Sequence, residues 1–301
     1  MSLAKALGYG ANDRLLIVNG DDFGMCHATN EGIRQLLAEG AISSATVMMP
    51  CSWAKEAVSW AAAHPEYNVG VHLTLTSEWR FYKWGPVTRS GGVSTLTTDE
   101  GYFPPDSLTV ERNADPEQVR KELVSQIELA LRMGLSPTHL DNHMGSLYGL
   151  QTGRDFLDIV FDLCAAYGLP FRLPRRISPG GGLRPELARL AEQRAAMADA
   201  KGVVILDALL SLPFELGEGE TYDMFKNSMA ALLRSLQPGV SEIIIHPSLV
   251  TDELKAINPH WKKRGMEFDI FRDPDIRNVI AAEQIRMIRW SDLRDLQRSR
   301  L

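Results

Sequence analysis

Short apolar runs rich in β-branched residues alternate with longer amphipathic stretches along almost the whole chain, and this rhythm constrains the fold more than any other feature. The runs are Leu15–Asn19, Ile42–Met48, Asn68–Leu75, Thr138–Asn142, Val203–Leu206, Glu242–Ile245 and Arg286–Trp290, with a weaker candidate at Pro170–Leu173. Helix patterns lie between them. Pro116–Met133 is the clearest: Asp115 can cap it, Pro116 suits the first turn and Gly134 the stop. Within it Val119, Leu123, Ile127, Ala130 and Leu131 recur at helical spacing. Thr29–Glu39, Arg154–Tyr167, Arg184–Met197, Tyr222–Leu236 and Asp252–Lys263 follow the same logic. Repeated strand–helix units predict a mainly parallel sheet, because parallel neighbours need a crossover that a helix supplies. Seven or eight such units in 301 residues predict an α/β fold, a closed or nearly closed (β/α) barrel forming one catalytic domain over residues 1–301.

Charge and cysteine content exclude several classes. A net charge of -6 and a pI near 5.7 argue against nucleic acid as a partner, and the basic run Pro174-Arg175-Arg176 is too short to form a footprint. Cys26, Cys51 and Cys164 are an odd number at wide spacing, which suits neither a disulfide framework nor a metal knuckle. The start has no leader pattern and no run is long enough for a membrane span, so a cytoplasmic, reduced protein away from the membrane is expected. No GxSxG, P-loop or GxGxxG context is present.

In parallel α/β folds ligands bind beyond the C-terminal ends of the strands, and the chain's polar residues cluster there. The first run breaks into Gly20-Asp21-Asp22-Phe23-Gly24. Successive strand side chains face opposite ways, so both carboxylates meet one site only if the strand has ended, and Gly20 and Gly24 permit that departure. Two adjacent carboxylates repel unless a cation lies beside them; alternatively the pair sits in a solvated turn. His139, Asp141 and His143 alternate, so an extended strand places all three on one face. A hydrogen-bonded polar cluster inside the barrel suits His139, deeper in the strand, and metal ligation suits His143, nearest its end, although the choice between them stays open. His72 interrupts a β-branched strand and reads alone as a core histidine. Its coincidence with the other strand ends points to two histidines and one carboxylate around a catalytic divalent ion. His246, followed by Pro247, emerges at the same end, either to shuttle a proton or to bond a loop carbonyl. His27, His64 and His260 fall in predicted helices or helix starts, away from that layer.

One segment breaks the rhythm. Thr76–Pro105 has four glycines, three prolines and six aromatics, too long for a plain connection and too aromatic for disorder. It is expected to wall the active site, with Trp79, Tyr82 and Trp84 offering flat faces to a sugar ring or forming a small core of their own. Asp141 is a further candidate substrate contact.

At these residues the sequence resembles the YdjC-like carbohydrate deacetylase family, which includes chitooligosaccharide deacetylases. The matching pieces are VNGDDFGMCHATNEGI, AISSATVMMP, NVGVHLTL, THLDNHMG and EIIIHPS, in family order from residue 15 to about 248. The resemblance implies a barrel that is distorted or has fewer than eight regular strands. It implies one divalent ion per chain, zinc or magnesium, held by Asp22, His72 and His143, with Asp21 as catalytic base and His246 assisting. The substrate it implies is an N-acetylated amino sugar or oligosaccharide. The partners are then a small-molecule carbohydrate and, as an open alternative, a second copy in a homodimer. Many relatives carry another histidine two places after His143, where this chain has Gly145. A metal-dependent phosphoesterase and a non-catalytic sugar-binding barrel are the competing readings.

Overall fold

The computed structural model describes residues 2–176 and 185–300. Eight strands occur among them: β1 (Arg14–Phe23), β2 (Ser44–Val47), β3 (Val69–Leu73), β4 (Leu140–Asn142), β5 (Phe171–Arg176), β6 (Ile205–Leu210), β7 (Gly239–Ile245) and β8 (Arg286–Met287). Every pairing is parallel. β1 pairs with both β2 and β7, which closes β1 to β7 into a seven-stranded barrel with helices between the strands. β8 pairs only with Leu15 and Leu16, at the lower end of β1, and stays outside the ring. The (β/α) barrel expected from the alternation is therefore present with fewer than eight strands in the ring.

Local chemistry sets most boundaries. The helix Pro116–Arg132 begins where Asp115 accepts hydrogen bonds from the N–H groups of Glu117 and Gln118, and it stops at Gly134, whose φ of 91° few other residues tolerate. Helices follow at His27–Ala38, Leu157–Tyr167, Pro185–Ala200 and Tyr222–Arg234; Arg184, the expected start of one of them, lies outside the described residues. Two expectations fail. Asp252–Lys263 is not one helix but two, Asp252–Ile257 and Trp261–Ile270, because Pro259 cannot continue a helix and pushes Asn258 into extended backbone. Of the run Arg286–Trp290 only Arg286–Met287 is strand, and Trp290 instead opens the helix Trp290–Arg298. The weak candidate at Pro170–Leu173 is the full barrel strand β5.

The barrel interior is layered. At its lower end Leu15, Ile17, Val204, Leu206 and Val240 pack with Ile288, Trp290 and Leu293 from the C-terminal segment. Trp290 closes this floor and stacks on His139, with centroids 4.4 Å apart and planes 5° from parallel. Gly70 of β3 faces His139: a Cβ there would lie 2.6 Å from the imidazole, so only glycine fits. Above this apolar layer the interior becomes charged, and above that it opens into the site.

Candidate active site

His72 and Asp141 are register partners on β3 and β4. The Nδ1–H of His72 donates to Oδ1 of Asp141 at 2.7 Å, which leaves the Nε2 lone pair facing the barrel mouth. His143 follows the end of β4, in a tight turn where Met144 takes a φ of 52°. Its Nε2–H donates to Oε2 of Glu78 at 2.9 Å, leaving Nδ1 free. Between the two free nitrogens lies Oδ1 of Asp22, 3.6 Å from Nε2 of His72 and 3.5 Å from Nδ1 of His143. This oxygen is buried and has no hydrogen-bond partner. One carboxylate oxygen and two imidazole lone pairs at such spacing could hold a divalent cation. Both imidazoles are held by carboxylates, the arrangement that orients metal-ligating histidines.

Asp22 reaches this position through a backbone irregularity. The β1–β2 register shifts between Gly20 and Phe23, and Asp22 itself has a φ of 66°. The departure expected of Gly20 is made by Asp22, at some conformational cost for a non-glycine residue. Its other oxygen, Oδ2, accepts from Nη2 of Arg264 at 2.7 Å. Burial opposes ionisation of Asp22, but Arg264 and His143 outweigh it and hold the carboxyl well below its usual range. Burial likewise opposes a charge on His143, yet Glu78 and Asp22 raise its pKa to about 10. A proton on Nδ1 would occupy the place of a cation, so the two would compete.

Asp21 stands beside this centre with different partners. Nη1 and Nη2 of Arg172 donate to its two oxygens at 2.7 Å each, and Nδ2 of Asn19 donates to Oδ1 at 2.8 Å. Burial raises its pKa, but Arg172 and His72 dominate and keep it strongly acidic. Arg172, 2% exposed, also lies 2.7 Å from Oδ2 of Asp141 and 2.6 Å from Oε1 of Glu242, the latter without hydrogen-bond alignment. One guanidinium cannot neutralise three carboxylates. Burial and the neighbouring aspartates accordingly push Glu242 up to about 8, although Arg172 opposes this. His246 lines the same cavity, with its ring edge-on to Phe214 and its Nδ1 unpartnered. Burial lowers its pKa to about 4, against the pull of Asp22 and Asp21.

The structure thus brings together Asp21, Asp22, His72, His143 and His246, whereas His139 lies below them against Trp290. Asp141 is fully buried between His72, Arg172 and Thr46, whose hydroxyl donates to it at 2.9 Å, and has no surface for a substrate. Trp79 lines the cavity. Tyr82 and Trp84 do not: the Tyr82 hydroxyl donates to the Met25 carbonyl, and Trp84 is 4% exposed with its Nε1–H donating to the Thr76 carbonyl at 2.7 Å. Arg172, Arg264, Glu78 and Asn258 were not singled out from sequence. Only position could have flagged Arg172, a cation between the apolar Phe171 and Leu173 at the start of β5; the others lie on loops or a helix whose approach to the site is tertiary.

The sequence profile of the YdjC-like protein family matches residues 15–282. A carbohydrate deacetylase of Thermus thermophilus is 30% identical over 295 residues, covering 98% of this chain and 99% of that one. A carbohydrate deacetylase of Thermoanaerobacter pseudethanolicus is 28% identical over 284 residues, 93% of this chain and 100% of its own. Among solved structures, a proposed cellobiose-phosphate cleavage protein of Enterococcus faecalis shares the fold with a TM-score of 0.74 at 23% identity, over 93% of this chain and 99% of that one. A profile match over most of the length, and relatives aligned end to end, have one meaning: the chain belongs to the YdjC-like protein family.

Proposed function

We propose that this chain is a metal-dependent deacetylase that hydrolyses the N-acetyl group of an amino sugar. The observation carrying the proposal is the unpartnered, buried Oδ1 of Asp22 faced by two carboxylate-oriented imidazoles. Curated relatives named carbohydrate deacetylases support the substrate class. Asp22, His72 and His143 would hold one divalent ion, zinc or magnesium. When bound, that ion supplies Lewis acidity, making water a stronger acid and the amide carbonyl a better electrophile. A second group of ligand type, Asp21, His72 and Asp141, is spanned by the Arg172 guanidinium, which supports a single cation rather than the pair a phosphoesterase would use.

Asp21, fixed and kept ionised by Arg172, accepts the proton of the attacking water. Having gained it, Asp21 is a strong acid and returns it to the departing nitrogen, so that acetate and a free amine result. His246 is neutral, and its role is to offer a hydrogen bond at the reacting amide rather than a charge. Purified protein should contain about one divalent ion per chain and release acetate and amine in equal amounts from an N-acetylated glycoside. Phosphate release from sugar phosphates without acetate from any N-acetyl sugar would replace this reading with the phosphoesterase.

A further inference from the structure

The cavity above the metal ligands has a volume of about 690 Å³ and two unlike halves. Its inner part is lined by Asn142, His246, Asn258, Arg264 and Trp79, each with a buried polar atom that has no hydrogen-bond partner. Such residues suit an amide and sugar hydroxyls. Its rim carries the apolar side chains Met144, Leu150 and Phe214, with Leu210 behind them and the polar Ser211 and Glu215 to one side. Exposure separates rim from floor: Met144 is 45%, Phe214 48% and Leu150 63% exposed, whereas Asp22, His72 and His143 are 0%, 1% and 4%. Among the described residues, three of the ten exposed large apolar side chains therefore stand at the rim of this one cavity.

The local backbone favours that surface. Met144 takes a left-handed φ of 52°, and Gly145 follows with a φ of 65°. Leu150 covers Gly145 so closely that a Cβ there would meet its Cδ1 at 3.1 Å. A side chain at position 145 would have to take a left-handed φ and displace Leu150, which as it stands lies over the gap. Met144 and Leu150, unlike the aromatic Phe214, offer nothing to a second sugar, but all three gain from covering hydrocarbon.

We infer that the substrate carries an apolar group on the sugar, remote from the acyl amide, and that this rim binds it. The inference rests on the deacetylase reading and names its substrate class: an amphipathic N-acetylamino-sugar glycoside rather than an oligosaccharide. With the amide at the buried ligands, the far end of the substrate lies at the rim.

The test compares four ligands by calorimetry and by acetate or acyl release, all below their critical micelle concentrations. They are the methyl and octyl β-glycosides of N-acetylglucosamine, its β-1,4-linked disaccharide, and the methyl glycoside of N-octanoylglucosamine. Each methylene buried favours binding about fourfold, so an octyl chain that buries three should bind about sixtyfold more tightly than methyl. Leu150→Asp and Phe214→Ser, both at exposed positions, should each cut that octyl-to-methyl ratio by about tenfold. Equal binding of octyl and methyl, or tighter binding of the disaccharide, would overturn the inference. So would a preference for the N-octanoyl compound over the octyl glycoside, which would move the apolar group to the acyl side. Tight octyl binding with no acetate released would sink the deacetylase reading and leave the apolar-group inference standing.

Discussion

Asp21 and Asp22 are chain neighbours of identical chemistry, and their surroundings give them different work. Asp22 keeps an oxygen bare between two imidazoles, while both oxygens of Asp21 are bound by Arg172. Asp21→Asn should therefore keep the metal and lose about two to four orders of magnitude in kcat, the usual span for a lost general base. Metal analysis beside kinetics checks this; metal lost together with turnover would make Asp21 a ligand. Glu242, which shares Arg172 with Asp21 and Asp141, allows a separate test by stability. Its folded pKa of about 8 exceeds its ordinary 4.5, so between these values the folded chain holds a proton that the unfolded chain releases. That contribution to stability is complete below pH 4.5 and fades as pH rises through 8, by up to about 1.4 kcal/mol per pH unit. Glu242→Gln cannot ionise, and its stability should fall less steeply between pH 6.5 and 8 than that of the wild type. Identical slopes in denaturant titrations would mean that Glu242 is already ionised in the fold.

At the scale of elements, the segment Thr76–Pro105 is a folded arm whose buried side chains join the main core. Trp84, Val93, Leu96 and Phe103 are buried, and the long helix beneath pins the arm: Glu122 accepts from the N–H groups of Val87 and Thr88 at 2.9 and 3.0 Å. The ring of Trp84 also abuts His143, with centroids 6.1 Å apart. The two tryptophans expected to act alike should then differ. Trp84→Ala should cost about 3–5 kcal/mol of stability, as other buried tryptophan truncations do. Trp79→Ala, at the cavity, should raise KM more than it lowers kcat. A stable Trp84 variant in thermal melts, or a Trp79 variant changed only in kcat, would contradict this division. The arm was legible as unusual from its length and aromatics. Which aromatic turns inward was not, because that depends on the Pro116–Arg132 helix against which the arm lies. The break at Pro259 is a plainer lesson: it was readable in the sequence, and it sets Asn258 and Arg264 beside the site.

For the whole molecule, the barrel is closed laterally by β1 and from below by the helix Trp290–Arg298. Trp290 is fully buried in the floor, and Trp290→Ala should lower the melting temperature by about 6–15 °C, from a loss of about 3–5 kcal/mol at roughly 2–3 °C per kcal/mol in a chain of this size. A cation held by Asp22, His72 and His143 as proposed would stabilise the same barrel from its upper end, since the folded chain alone assembles these three side chains. A chelator should thus lower the melting temperature of wild-type protein and leave that of an Asp22→Ala variant unchanged; equal shifts in both would place the metal elsewhere.

The barrel class and the polar residues at the strand ends were legible in the amino-acid sequence. Alternating apolar runs and amphipathic helices have few ways to bury their apolar faces, and a parallel barrel exposes its strand ends at one mouth. Tertiary structure alone decided the rest: that Arg172 holds Asp21, that Arg264 and Glu78 complete the centre, and that His139 serves the floor while His143 serves the site. These outcomes depend on contacts between segments far apart in the chain. Arg264 reaches Asp22 across 242 positions, and no local pattern records such a contact.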